Sequence, residues 1–262
     1  MHKISIEQGL RALQRFIAAE WRLALPVALA FLALPPFILG LILAPLMLQM
    51  PSDLEGMRAF GLAMPGWVMP VTLLGGVVTI VGAMALQALL LLPRISVGEA
   101  IVRALRRLPV WIGAALVVFA ILFALLIVLG LIFGAVPAGA GLLVMVTCVG
   151  MVAAGVNLAL IMPLIVETSL GPVAALREGL AFYRGQLVRL VAGLVLFLAA
   201  AWVVAMAMQV ALGSVLLLIG RLIGQPDLGQ TLVALLAALV SAMEWSAFYL
   251  LIACFYRQRV QG

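Results

Sequence analysis

The sequence is poor in charge, in histidine and in cysteine, and each shortage excludes something. Of its 262 residues only 9% are charged, against 67% that are hydrophobic. A soluble domain carries about 25% charged and 45–50% apolar residues, so this chain has too few polar side chains to cover a water-facing surface. Its mean hydropathy of +1.35 agrees. The single histidine is His2, which excludes a histidine-built metal site or a catalytic triad. The two cysteines, Cys148 and Cys254, both fall inside apolar runs and are expected as small buried hydrophobes. No Walker loop, Gly-x-Ser-x-Gly elbow or His-Glu-x-x-His helix is present. No metal and no cofactor are expected.

What is there is apolar length. Leu23 to Ser52 and Ala59 to Pro93 carry no charge, and Leu108 to Val166 is uncharged for 59 residues. A single crossing needs about 20 residues, so the third run must fold back, and the Gly and Pro residues between Gly134 and Gly141 mark the turn. Six spans follow, near 24–49, 67–92, 110–133, 139–166, 189–219 and 228–256. The fifth is long and must tilt or extend beyond the bilayer. Pro35-Pro36 should break or kink the first near mid-membrane. The fold class is all-α, a polytopic integral membrane protein forming a single membrane domain over 1–262.

Thirteen of the fifteen Lys and Arg residues flank these runs on one side, and Arg58 and Arg221 flank them on the other. The positive-inside rule then places both termini in the cytoplasm. The sequence pI of 10.4 reflects these loops rather than nucleic-acid binding. The first apolar run begins near Leu23 and exceeds a signal-peptide core, so it is expected as a retained span.

Three segments on the basic side resemble one another. Each carries a Ser, an aliphatic residue and a short amphipathic stretch with Arg: Ile4 to Leu13, Ile95 to Leu105 and Thr168 to Arg177. Each precedes two spans. The expectation is a threefold parallel repeat with units near 4–92, 95–166 and 168–256, each an interfacial helix plus a hairpin. Ser5 with Gln8 and Ser96 with Glu99 have capping-box spacing. Ser169 is an N-cap candidate, and Pro172 suits a first turn. Val97, Ile101, Leu105 and Leu108 share one helical face, with Arg103, Arg106 and Arg107 away from it as a solvated, headgroup-facing set.

The stretch from Met162 to Arg189 resembles the membrane domain of bacterial glycerophosphoryl diester phosphodiesterases and the related stand-alone membrane proteins. Those proteins carry a Pro, a Glu four residues on, a Gly, an Ala-Leu-Arg-Ser helix and a closing Gly with Arg nearby. Here Pro163, Glu167, Gly171, Ala175-Leu176-Arg177, Gly185 and Arg189 take those places, and Glu178 departs from the pattern where Ser stands. The block Ser96 to Ala100 and the pair Tyr256-Arg257 are also similar. The resemblance implies a six-helix membrane domain in a bacterial inner membrane. It does not imply phosphodiesterase activity, because the catalytic barrel of that family uses His and acidic metal ligands and these 262 residues contain no such barrel.

Two groups of side chains stand out. Glu167, Arg177, Arg184 and Arg189 form a candidate interfacial network, either an ion pair pinning the third amphipathic helix or an Arg cluster holding a lipid phosphate. Glu244, the one acid deep in a span, forms with Asn157 and Gln87 a candidate intramembrane polar site, and Ser241 and Ser246 are further donors. Gly130 and Gly134 have close-packing spacing. Trp21, Trp67 and Trp111 suit the interfaces, while Trp202 and Trp245 suit packing.

The expected function is non-enzymatic: an inner-membrane module that binds or presents phospholipid, or scaffolds a membrane or cytoplasmic protein partner, at the cytoplasmic leaflet. The alternative is a small permease or proton-linked transporter using Glu244.

Overall fold

The computed structural model of the protein describes residues 5–47, Asp53, Gly56, 64–133 and 139–261. Every extended element among the described residues is helical, and no strand occurs among them. In chain order, α1 (Ile6–Val27) passes through a π-helical segment (Ala28–Ala33) into α2 (Leu34–Met47). Then come α3 (Val68–Leu91), α4 (Val97–Phe133), α5 (Gly139–Glu167), α6 (Pro172–Tyr183), α7 (Leu187–Leu222) and α8 (Pro226–Gln261). Six helices are long and apolar enough to cross a membrane: Ile6–Ala44, Val68–Leu91, Val97–Phe133, Gly141–Glu167, Arg189–Leu222 and Pro226–Val260. The chain is an all-α, multi-pass membrane protein.

Leu116, Ile121, Phe123 and Leu131 on α4 are 66% to 80% exposed. In a soluble protein such a face would drive aggregation, but acyl chains solvate it in a bilayer. The packed interior is centred on α3, α5 and α8. Met84, Leu86, Leu160, Met162, Ile165, Leu251, Ile252 and Phe255 are among its largest fully buried side chains. Glycine lets two contacts close tightly. A Cβ on Gly82 of α3 would run into Cβ of Phe31 in the π-helical segment, and one on Gly220 would lie 2.7 Å from Cα of Gly229 across the α7–α8 hairpin.

Pro35-Pro36 does not break the first span. The helix widens to π geometry over Ala28–Ala33, directly before the pair, and α2 continues beyond it. At the end of the π segment the Leu34 N–H donates to the Leu29 carbonyl, five residues back. The departure from helical geometry in α1 falls instead at Glu20 (φ −120°, ψ 16°).

Of the three amphipathic segments, only the third is a separate helix. The first runs through the Glu20 kink into the first span, and the second is continuous with α4, a helix of 37 residues. The third ends because Gly185 takes φ +82° and turns the chain into α7; neither of the others has a glycine so placed. Ser96 and Glu99 form the reciprocal capping box, with the Ser96 N–H donating to Oε2 at 2.8 Å and the Glu99 N–H to Ser96 Oγ at 3.3 Å. Ser5 is half of one: it accepts from the Gln8 N–H at 3.4 Å, but its own N–H donates to Oε1 of Gln258 at 3.3 Å. The N-cap of α6 is Gly171 rather than Ser169, with Pro172 in the first turn.

Other expectations need correcting. On the second segment Val97, Ile101 and Leu108 pack against the core and Ala100 and Ala104 beside them are fully buried, while Leu105 is exposed; small residues allow the closer helix approach. Cys254 is buried but Cys148 is exposed. Trp202 faces outward, 60% exposed. A Cβ on Gly130 would meet nothing, and Gly134, like Arg58 and most of the proposed 134–141 turn, lies outside the described residues.

Candidate functional site

The basic end of the bundle is knitted together where α5 stops. The last carbonyls of a helix have no intrahelical partner. Arg103, reaching from α4, supplies two donors: Nε to the Val166 carbonyl at 2.7 Å and Nη2 to the Glu167 carbonyl at 2.9 Å. The planar guanidinium fork suits such paired acceptors. Nearly two turns earlier on α5, the Tyr183 hydroxyl of α6 donates to the Leu160 carbonyl at 3.1 Å. Phe182 stacks near Tyr183 (5.0 Å) and Tyr256 (5.2 Å), and the Arg259 guanidinium lies 5.0 Å from its ring centre. The Glu167 carboxylate is hydrogen-bonded to Tyr256.

This arrangement departs from the expected interfacial network. Glu167 pairs with none of Arg177, Arg184 and Arg189; among the described residues the ion pair is Arg11 with Glu7, one turn apart on α1. The Glu167 carboxylate faces the tyrosine of α8, and an arginine assigned to a solvated face holds its backbone. Arg177 on α6, Arg184 at its C-cap and Arg189 in the first turn of α7 are all exposed. Their side chains meet no carboxylate among the described residues.

A second basic feature was not foreseen. Between α1 and α8, against the end of α3, lies a cleft of about 690 Å³ lined by Arg11, Arg15, Arg257, Gln8, Gln258 and Glu20, with Phe16, Leu90 and Cys254 among its apolar walls. Gln258 fixes the helices at its edge through Ser5. More than 240 residues separate Arg11 from Arg257, so no local pattern could pair them. The one available signal was that both termini share the basic side.

The three intramembrane polar residues do not meet. Gln87 is fully buried, with Nε2 donating to the Tyr249 carbonyl of α8 at 3.2 Å and Oε1 unpartnered. Asn157 turns back on its own helix, to the Ala153 carbonyl at 2.8 Å, and borders a separate apolar groove with Cys148 and Val191. Glu244 borders a third groove of about 300 Å³, with Phe197, Ala201, Met208 and Val240, and makes no hydrogen bond or ion pair among the described residues. Ser246 Oγ is buried without a partner. Gln87 lies inside the bundle while Asn157 and Glu244 border separate grooves, and the single polar site expected from hydropathy resolves into three places.

No group of three or more His, Cys, Asp or Glu side chains able to hold a metal ion occurs among the described residues. No family model, curated protein or solved structure matches the chain.

Proposed function

We propose that the protein is a non-enzymatic module of a bacterial cytoplasmic membrane, with both termini in the cytoplasm, that binds or presents phospholipid at the inner leaflet. The observation that carries this is the state of Arg177, Arg184 and Arg189. They are exposed beside a span and, among the described residues, have no carboxylate to neutralise them. Guanidinium groups at headgroup depth attract anionic lipid, at about 1 kcal/mol for each near the surface. The threefold arrangement of basic segments, and the resemblance to the membrane domain of glycerophosphoryl diester phosphodiesterases, belong to the same reading and support a leaflet-facing role. A protein partner docking on the same basic end is the scaffold version of it.

Native mass spectrometry of the detergent-purified protein tests the proposal. Anionic phospholipid should be enriched over the membrane it was extracted from, and changing Arg177, Arg184 and Arg189 together to Gln should lower the number of anionic lipids carried. A retained pool that matches the bulk membrane overturns it.

A further inference from the structure

The geometry points to the cleft between α1 and α8 as a one-to-one binding site for the phosphate group of an anionic phospholipid, a site distinct from the exposed arginines of α6 and α7. This deepens the lipid-binding reading and rests on it.

Three guanidinium groups from two helices line the cleft, Arg11 and Arg15 from α1 and Arg257 from α8, against one carboxylate, Glu20. Arg11 also holds Glu7, outside the lining. Arg15 Nε is spent on the Arg11 carbonyl at 3.4 Å, which leaves its terminal nitrogens free among the described residues. The Arg257 side chain meets no acceptor among them. Paired guanidinium groups match the oxygens of a phosphate, and a charge-assisted bond of this kind is about twice as strong as a neutral one.

A further detail at the edge of the cleft is the amide of Gln258. Its Oε1 accepts the Ser5 N–H, so the oxygen must face α1 and the amide cannot be flipped without losing that bond. The nitrogen is buried, with no acceptor and no accessible surface of its own. A buried donor left without a partner costs about 1–3 kcal/mol and asks for an explanation. Gln258 lines the cleft. An anionic oxygen held by the arginines would reach it only with a shift of the Gln258 side chain.

The walls favour a lipid over a free ion. Ala12, Phe16, Ala19, Leu90 and Cys254 complete the lining, and α1 and α8 both continue from it into spans. A phosphate held by the arginines would leave its glycerol and acyl chains against apolar surface. About 690 Å³ is within the range of sites that hold a drug-sized group.

The test uses the full chain, delipidated in detergent. It is titrated with phosphatidylglycerol, with phosphatidylcholine of the same acyl chains, and with inorganic phosphate, and one-to-one adducts are followed by native mass spectrometry. Phosphatidylglycerol should bind at least tenfold more tightly than phosphatidylcholine, and equimolar inorganic phosphate should not displace it. Changing Arg11, Arg15 and Arg257 together to Gln should weaken the adduct at least tenfold. Gln258→Glu keeps the acceptor for Ser5 and adds a negative charge beside the arginines, so it should weaken the adduct similarly while the chain stays folded. The Arg177, Arg184 and Arg189 triple variant should keep it. If wild type is selective and both cleft variants bind as wild type does, the cleft is wrong and the broader function stands. If wild type has no preference for the anionic lipid, both fall. Displacement by equimolar inorganic phosphate would overturn the lipid assignment in favour of a simple anion site.

Discussion

Arg103 closes the end of α5 by donating from Nε to the carbonyl of Val166 at 2.7 Å. Its Nη2 takes the next carbonyl, that of Glu167, at 2.9 Å. The bond partners are backbone oxygens, so the link does not depend on the Glu167 carboxylate. Arg103→Gln should destabilise the protein in detergent by about 3 kcal/mol, the scale of two hydrogen bonds from a charged donor. Arg103→Lys, with a point charge instead of a fork, should recover less than half. Glu167→Gln should leave this link untouched. Thermal unfolding of the three variants checks the ranking, and a loss in Glu167→Gln equal to that in Arg103→Gln would contradict it.

The capping box at the start of α4 should be separable from its weaker counterpart at α1. Ser96 is bonded in both directions with Glu99. Ser96→Ala should cost about 1 kcal/mol and speed amide exchange over the first turn of α4. Ser5→Ala removes only a 3.4 Å bond from Gln8, because the Ser5 N–H donates to Gln258 whatever side chain it carries. Its effect on exchange should be smaller. Equal acceleration at both helices would show that the two caps are alike.

The tight approach at Gly82 makes a third prediction. A Cβ there meets Cβ of Phe31, which is fixed to the backbone and cannot swing away. Gly82→Val should therefore destabilise by about 1–3 kcal/mol or more through overpacking. Gly76 sits on the same helix with open space around its Cβ direction. Gly76→Ala should be neutral or stabilising, as helix propensity favours alanine by about 1 kcal/mol. Unfolding measurements that ranked the two substitutions in reverse would contradict the packing of the π-helical segment on α3.

These residues also show what was legible in the sequence. The spans were, because a run such as Leu108 to Val166 has no alternative to a bilayer. Ser96 and Glu99 were, because a capping box is local. Cys148 and Cys254 were not told apart, since a lipid-facing position and a core position are equally apolar in a membrane protein. Arg103 was hidden for a different reason. Its partners lie more than 60 residues away and are carbonyls, which every residue carries and no sequence pattern marks. The cleft of Arg11 and Arg257 shares that difficulty. Hydropathy gives depth along a span but not direction around it, which is why Glu244, Asn157 and Gln87 were grouped together.

That separation gives Glu244 and Gln87 opposite expected behaviour. Gln87 is fully buried and joins α3 to α8 through the Tyr249 carbonyl, although its Oε1 is orphaned. Gln87→Met removes one modest bond and one unsatisfied acceptor at nearly constant volume, so the two effects should cancel to within about 1 kcal/mol. Gln87→Glu places a carboxylate at a fully buried position and should destabilise strongly. Glu244 holds nothing in place, since it has no hydrogen bond or ion pair among the described residues and borders an apolar groove. Glu244→Leu should leave stability unchanged or raise it, because a charged residue at mid-span costs about 2.5–3.5 kcal/mol on insertion scales. Unfolding of the purified variants separates the cases. A marked loss in Glu244→Leu would mean the carboxyl links helices. Unchanged or greater stability would mean the acid is carried at a cost to the fold, and the permease reading would then be tested by following proton-coupled uptake in reconstituted vesicles with Glu244→Gln.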